Sequence, residues 1–195
     1  MSDPQDFEAS YAGSPPWDIG RPQSAFVRLA EAGELRGRVL DVGCGTGEHA
    51  LLAAGLGLDA TGIDLAPTAI RLAKQKTQER GIEARFLEFD ALDLSALGEH
   101  YDTVLDCGLF HVFDDADRRR FVESLSAVTV EGGRYHMLCF SDRVPGDRGP
   151  RRVTEAELRA SFAIGWRVDS IERSVLEITL SPEGAQAWLA TFTRL

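Results

Sequence analysis

From Val39 to Gly47 the chain reads Val-Leu-Asp-Val-Gly-Cys-Gly-Thr-Gly, an apolar run that ends in three alternating glycines. Glycine lets a backbone turn sharply and lets a ligand approach with no Cβ in the way. A helix opening near Thr46 then offers unpaired N–H groups to a carboxylate or phosphate. A dinucleotide loop needs G-x-G-x-x-G, and Glu48 holds its third glycine position. An anion there opposes a pyrophosphate. A nucleotide-triphosphate loop needs Gly-Lys-Ser/Thr, which does not follow.

Three aspartates recur at comparable places. Asp64 closes Gly62-Ile63-Asp64, 21 residues after Gly43, where an acid accepts from two ribose hydroxyls. Asp90, in Phe89-Asp90-Ala91, is placed to accept from an adenine amino group, and Asp106 lies in Leu105-Asp106-Cys107-Gly108. An acid after one strand is more often a turn residue than a ligand contact. A glycine loop and three aspartates at four successive strand ends point to one site.

The elements that position them alternate. Short apolar runs at Val39–Val42, Ala60–Ile63, Ala84–Leu87, Tyr101–Leu105 and Arg134–Phe140 read as strands. Helical stretches are expected over Thr46–Leu56, Pro67–Gln78 and Asp117–Val128, the second with proline in its first turn. Crossovers of this length make a parallel sheet with helices on both faces, and such sheets bind ligands beyond their C-terminal strand ends. Thr154 caps a helix expected to reach Phe162; Trp166–Ile171, Val175–Leu180 and Ala187–Thr193 then follow as strands without full crossovers, as antiparallel additions at one edge. Asp142–Arg152 is the clearest loop.

The chain has 195 residues, 44% of them hydrophobic and 27% charged, which suits one folded domain over 1–195. A net charge of −10 repels a phosphate backbone or an acidic membrane, so nucleic acid and membrane are poor partners. Cys44, Cys107 and Cys139 form no CxxC pair, which fits a reducing compartment rather than a disulfide framework. With Asp3, Asp6 and Glu8 and no apolar core, the first twenty residues do not resemble a signal peptide. The expected location is the cytoplasm.

Val39 to His49 resembles motif I of the class I S-adenosylmethionine-dependent methyltransferases, and Gly62-Ile63-Asp64 resembles their motif II acid. The resemblance implies an α/β, doubly wound, mostly parallel seven-stranded sheet, the Rossmann-like methyltransferase fold, with an antiparallel strand at one edge. It implies that Gly43, Gly45 and Gly47 cradle the methionine moiety, that Asp41 reaches its ammonium, and that Asp64 holds the ribose. Asp90 would take the adenine amino group and the Asp106 carbonyl the ammonium, with Cys44, Thr46, Leu65 and Ala91 as neighbouring contacts. Pro15 to Gln23 is similar to the lid segment of the small-molecule thiol/halide, thiopurine and heterocycle methyltransferases, which makes Trp17 the expected contact for a sulfonium. Residues 1–23 are thus expected to form a lid, 37–140 the cofactor-binding core, and 141–195 a C-terminal helix with edge strands.

His111, in Gly108-Leu109-Phe110-His111-Val112-Phe113, follows the fourth strand and is the candidate to abstract a proton or orient an acceptor. His49, His100 and His136 read as structural. Asp114-Asp115-Ala116-Asp117 is a helix start favoured by the macrodipole, and no metal is expected. Arg143, Arg148, Arg151 and Arg152 make one basic loop, either solvated or drawn to an anionic acceptor. The expected activity is methyl transfer to S, O or N of a small, fairly apolar thiol, phenol or hydroxylated heterocycle. The alternative is an S-adenosylmethionine-binding sensor or partner subunit without turnover.

Overall fold

A computed structural model of the chain describes residues 4–146 and 149–195, with side chains from Phe7 onward. Asp3, Arg148 and the side chain of Asp6, named above, lie outside them. The strands are β1 (Arg38–Val42), β2 (Asp59–Asp64), β3 (Arg85–Glu88), β4 (Tyr101–Cys107), β5 (Thr129–Phe140), β6 (Trp166–Ile178) and β7 (Ser181–Arg194). They form one sheet in the order β3-β2-β1-β4-β5-β7-β6. The first five pair in parallel, and β7 lies antiparallel between β5 and β6. The helices are α1 (Pro4–Ser10), α2 (Ser24–Glu31), α3 (Glu48–Gly55), α4 (Pro67–Arg80), α5 (Asp115–Val128) and α6 (Glu155–Ser161). The doubly wound sheet with antiparallel pairing at one edge is the fold expected.

Alternation along each strand feeds two cores. Val39 of β1, Leu105 of β4 and Leu138 of β5 pack with Phe26, Ala50, Leu51, Ile70 and Ala73 under α2, α3 and α4. Their neighbours Leu40, Val42, Val104, Tyr135, Met137 and Cys139 pack with Phe110, Phe121, Leu125, Leu158 and Phe162 under α5 and α6. The same alternation sends Asp41 toward the first face and Asp106 toward the second, which decides their partners.

β5, β6, β7 and α2 differ from expectation. The two strands expected over 166–180 are one, because Glu172, Arg173 and Ser174 interrupt the apolar pattern but not the pairing to Leu189, Trp188 and Ala187. On an edge strand polar residues can face water. β7 therefore begins at Ser181 rather than Ala187, and β5 begins at Thr129 rather than Arg134. The helix over Ser24–Glu31 was not expected, although Phe26, Leu29 and Ala30 recur at helical spacing on the face it turns to the core. Among the described residues no helix is long and apolar enough to cross a membrane.

Candidate active site

Strand register brings the expected residues level. Val42 lies opposite Ile63 on one side and Asp106 on the other, while Asp64 lies opposite Glu88. Phe89 N–H donates to the Asp64 carbonyl at 3.0 Å, tying the end of β3 to that of β2. The loop leaving β1 turns on Gly43, Gly45 and Gly47 with φ of +63°, +52° and +86°. Gly45 allows close approach: a Cβ there would lie 2.8 Å from the Tyr11 hydroxyl. Gly47 is the N-cap of α3, and its Cβ would lie 2.6 Å from the Phe86 ring.

Asp41 is buried, and its Oδ2 accepts from Ala50 N at 3.1 Å in the first turn of α3. Its Oδ1 has no partner among the described residues. Burial, reinforced by Asp106 and Asp64, raises its pKa well above the usual range. Asp64 accepts from Gly45 N at 2.8 Å and from Ala66 N at 2.9 Å, so it shapes the glycine loop while facing the same space. Burial raises its pKa too, against the pull of those N–H groups. Asp106 accepts from Leu109 N, Phe110 N and, at 2.7 Å, the Tyr135 hydroxyl. Desolvation takes it to about 7. Its carboxylate is committed to the 3-10 turn Phe110–Val112 on the α5 face. Asp90 is exposed and caps the 3-10 segment Ala91–Leu97 through Leu92 N at 2.9 Å. Next to these ends Ala91 and Cys44 are buried and Leu65 is exposed.

The N-terminal segment crosses this end of the sheet. Tyr11, not Trp17, is the aromatic side chain against the glycine loop; Trp17 stands behind it, half exposed, donating Nε1–H to the Tyr11 hydroxyl at 3.1 Å. Burial and the Asp64 charge raise the Tyr11 pKa. Thr46 donates to Asp18 at 3.1 Å and accepts from Lys76 at 2.6 Å. Lys76 and Arg80 of α4 both bind Glu48 at 2.7 Å. Burial opposes ionisation of Glu48, but these two cations outweigh it and leave its pKa lowered. The charge at the third glycine position is thus balanced by α4. Further along, Gln23 exchanges both amide hydrogen bonds with the Glu177 main chain of β6, at 2.9 and 2.8 Å, and its own N–H donates to His49 Nε2. Arg21 and Ser24 bind the Glu177 carboxylate, and Thr179 N–H donates to the Pro16 carbonyl. Tyr11 and Glu177 had no motif to mark them in the sequence, and Gln23 was marked only as the end of the lid segment.

Magnitudes rank these tethers. Arg21–Glu177 is exposed, so Arg21→Ala is expected to cost at most about 1 kcal/mol. Gln23→Ala orphans two main-chain groups and is expected to cost about 1–3 kcal/mol. Thermal melts of the two variants check that order, and equal melting temperatures would count against it.

His111 is buried beside Gly108 and the Phe140 ring. Its Nδ1 accepts the Phe140 N–H at 2.9 Å. Because a main-chain nitrogen can only donate, the neutral ring carries its proton on Nε2. Desolvation, then the charges of Arg118 and Arg152, lower its pKa to about 3. His49 and His136 are buried and also lowered, each to about 4, by desolvation. Asp114 accepts from Ala116 N and Asp117 N as the N-cap of α5. Arg152 donates to the Pro150 and Pro145 carbonyls, so it organises the loop rather than lying solvated on it.

Residues 39–133 match the family model described as "Methyltransferase domain". The 2-heptyl-1-hydroxyquinolin-4(1H)-one methyltransferase of Mycobacteroides abscessus is 38% identical over 178 residues, 85% of this chain and 78% of that one. This chain belongs to the class I S-adenosylmethionine-dependent methyltransferases. A solved structure from the conversion of a disulfide bond into a thioacetal group during echinomycin biosynthesis is 39% identical, with a TM-score of 0.88 over 97% of this chain and 92% of that one. A probable thiol methyltransferase 2 of Arabidopsis thaliana is 29% identical over 86% of this chain and 75% of that one.

The methyltransferase takes S-adenosylmethionine as its methyl donor. Its residues fit that molecule: the buried Asp41 Oδ1, with no partner among the described residues, asks for an N–H donor, and the Cβ-free surface of Gly45 leaves backbone open to close approach.

Proposed function

We propose that the enzyme moves the methyl group to sulfur, oxygen or nitrogen of a small, fairly apolar acceptor: a thiol, a phenol or a hydroxylated heterocycle. The observation that carries this reading is the 38% identity to a hydroxyquinolone methyltransferase across 78% of that protein's length. The thioacetal-forming relative supports a sulfur acceptor as well. In this reading Asp41 and the Asp106 carbonyl hold the ammonium of S-adenosylmethionine, Gly43, Gly45 and Gly47 its methionine chain, Asp64 its ribose and Asp90 its adenine amino group. Cys44, Thr46, Leu65 and Ala91 complete the wall, and Trp17 closes it through Tyr11. Residues 1–23 act as the lid, 37–140 as the cofactor-binding core and 141–195 as the C-terminal helix and edge strands of one domain. Three free cysteines suit a reducing cytoplasm.

When bound, S-adenosylmethionine supplies a methyl group already activated on a sulfonium. What remains for the protein is to hold the acceptor about 3 Å from that carbon and to keep water away. The crossing formed by Tyr11, Trp17 and Gln23 covers the strand ends, and His111 stands on the acceptor side. A panel of thiols, phenols and hydroxyquinolones, read as S-adenosylhomocysteine release, tests the reading. Product with at least one of these classes is expected. Saturable S-adenosylmethionine binding with no product from any acceptor would return the chain to a sensor or partner role.

A further inference from the structure

Beside His111 lies a second unusual group. Arg118 of α5 is buried, stacked 4.7 Å over the Phe110 ring, with one nitrogen 3.4 Å from Glu157. Its Nε and Nη2 have no hydrogen-bond partner among the described residues. Glu157 is not its own counter-ion: that carboxylate is also bound by Arg151, Thr154 N and the Thr154 hydroxyl. Arg118 and Arg151 share Glu157, and Arg151 also binds the exposed Asp115. A buried guanidinium with two idle donors calls for an anionic or strongly accepting partner.

Among the described residues around His111, none is poised to remove a proton. His111 Nδ1 is taken by Phe140 N–H, so Nε2 is a donor, and the missing Cβ of Gly108 leaves that side of the ring uncovered. On β4 the Asp106 carboxylate already accepts from Tyr135, Leu109 and Phe110, and the Cys107 thiol is held up by burial. Cys139 on β5 is raised by burial in the same way. Glu157 of α6 is held by its cations, and Glu177 of β6 is held ionised by Arg21 and Ser24.

We propose that the acceptor binds as its conjugate base, its anionic atom hydrogen-bonded by His111 Nε2–H and its charge balanced by Arg118. The inference rests on the methyl-transfer reading and narrows it: acceptors are those ionised near neutral pH, such as thiols, acidic phenols and N-hydroxy heterocycles. The proton leaves to solvent before binding. In the step itself an acceptor lone pair forms the bond to the methyl carbon, and the carbon–sulfur pair returns to sulfur. A cation and an anion become two neutral products, and no proton moves within the site. Arg118 is a positioning residue in this scheme.

The first measurement needs no variant. 4-Nitrophenol is titrated spectrophotometrically with the full-length protein and S-adenosylhomocysteine at a pH about one unit below the pKa of the free phenol. The bound form is expected to show the phenolate spectrum; binding as the protonated phenol, or no binding, overturns the proposal. If the acceptor panel finds turnover, kcat/KM against pH is compared for two acceptors of one class with different pKa values. The break should follow the acceptor. A break fixed at one pH for both, and removed by His111→Gln, would identify an enzyme base and sink the idea. Arg118→Met is expected to weaken binding of the anion by roughly tenfold or more, with Arg118→Lys recovering part of it and S-adenosylhomocysteine binding unchanged in both. Equal anion affinity in the wild type and Arg118→Met would overturn the role of Arg118. A lack of product from every acceptor refutes the methyl-transfer reading, and the spectrum of the bound phenol still decides this one.

Discussion

Asp64→Ala is expected to weaken S-adenosylmethionine binding by about 1.5–3 kcal/mol, roughly 10- to 150-fold, and to destabilise the free enzyme as well. The first effect follows from the ribose assignment, in which a carboxylate takes charge-assisted hydrogen bonds. The second is independent of any ligand: Asp64 accepts from Gly45 N and Ala66 N, and alanine leaves both without an acceptor. Asp64→Asn keeps one acceptor oxygen, so its melting temperature should lie between those of the wild type and the alanine variant. Calorimetry with S-adenosylmethionine and thermal melts separate the two effects. An alanine variant that melts early yet binds S-adenosylmethionine with unchanged affinity would remove Asp64 from the ribose and leave it as a brace for the loop. Because burial raises the Asp64 pKa, its folded form holds a proton more readily than the unfolded chain. That contribution to stability is present in acid and lost as pH rises through the folded-state pKa, so Asp64→Ala should cost more at low pH than at neutral pH.

Gly47→Ala is expected to be strongly destabilising for a single added methyl group. With φ of +86° an L-residue there costs about 1–2 kcal/mol. The added Cβ would also lie 2.6 Å from the Phe86 ring and 2.9 Å from the Ala73 Cβ. Overpacking of that kind adds about 1–3 kcal/mol. For a chain of this size the melting temperature should fall on the order of 10 °C. Gly57→Ala is the control: its φ is +81°, yet nothing lies within 4 Å of its Cβ. It carries only the conformational cost and should lose less than half as much. If the two variants melt together, the contact of Gly47 with Phe86 does not matter to stability.

The parts of the fold that sequence could show are those where one local rule acts alone. Strand ends at Val42, Asp64 and Asp106 were legible because apolar runs stop at glycine or acid, and parallel pairing makes such ends coincide. Asp41 was legible as a site residue, while its orphaned oxygen appears only once α3 packs over it. Tyr11 was not legible, since its importance lies in meeting Gly45 across the fold. Gln23 and Glu177 are 154 positions apart, and no spacing rule links them. His111 was visible as a candidate base, but the Phe140 N–H that sets its tautomer comes from the neighbouring strand. In sequence β6 looks like two strands because Glu172-Arg173-Ser174 resembles a break, and only its place at the sheet edge explains why it is not.

The tether between Pro16, Gln23 and the Glu177–Thr179 stretch has a bearing on how the protein is made. Residues that close the pocket leave the ribosome before the central strands, and those that fasten them leave after. A nascent chain that already holds its glycine loop and aspartates still lacks the anchor for its cover. Contacts of such long sequence separation also form slowly. Capacity to hold a ligand should therefore mature late in refolding, after the central strands have assembled.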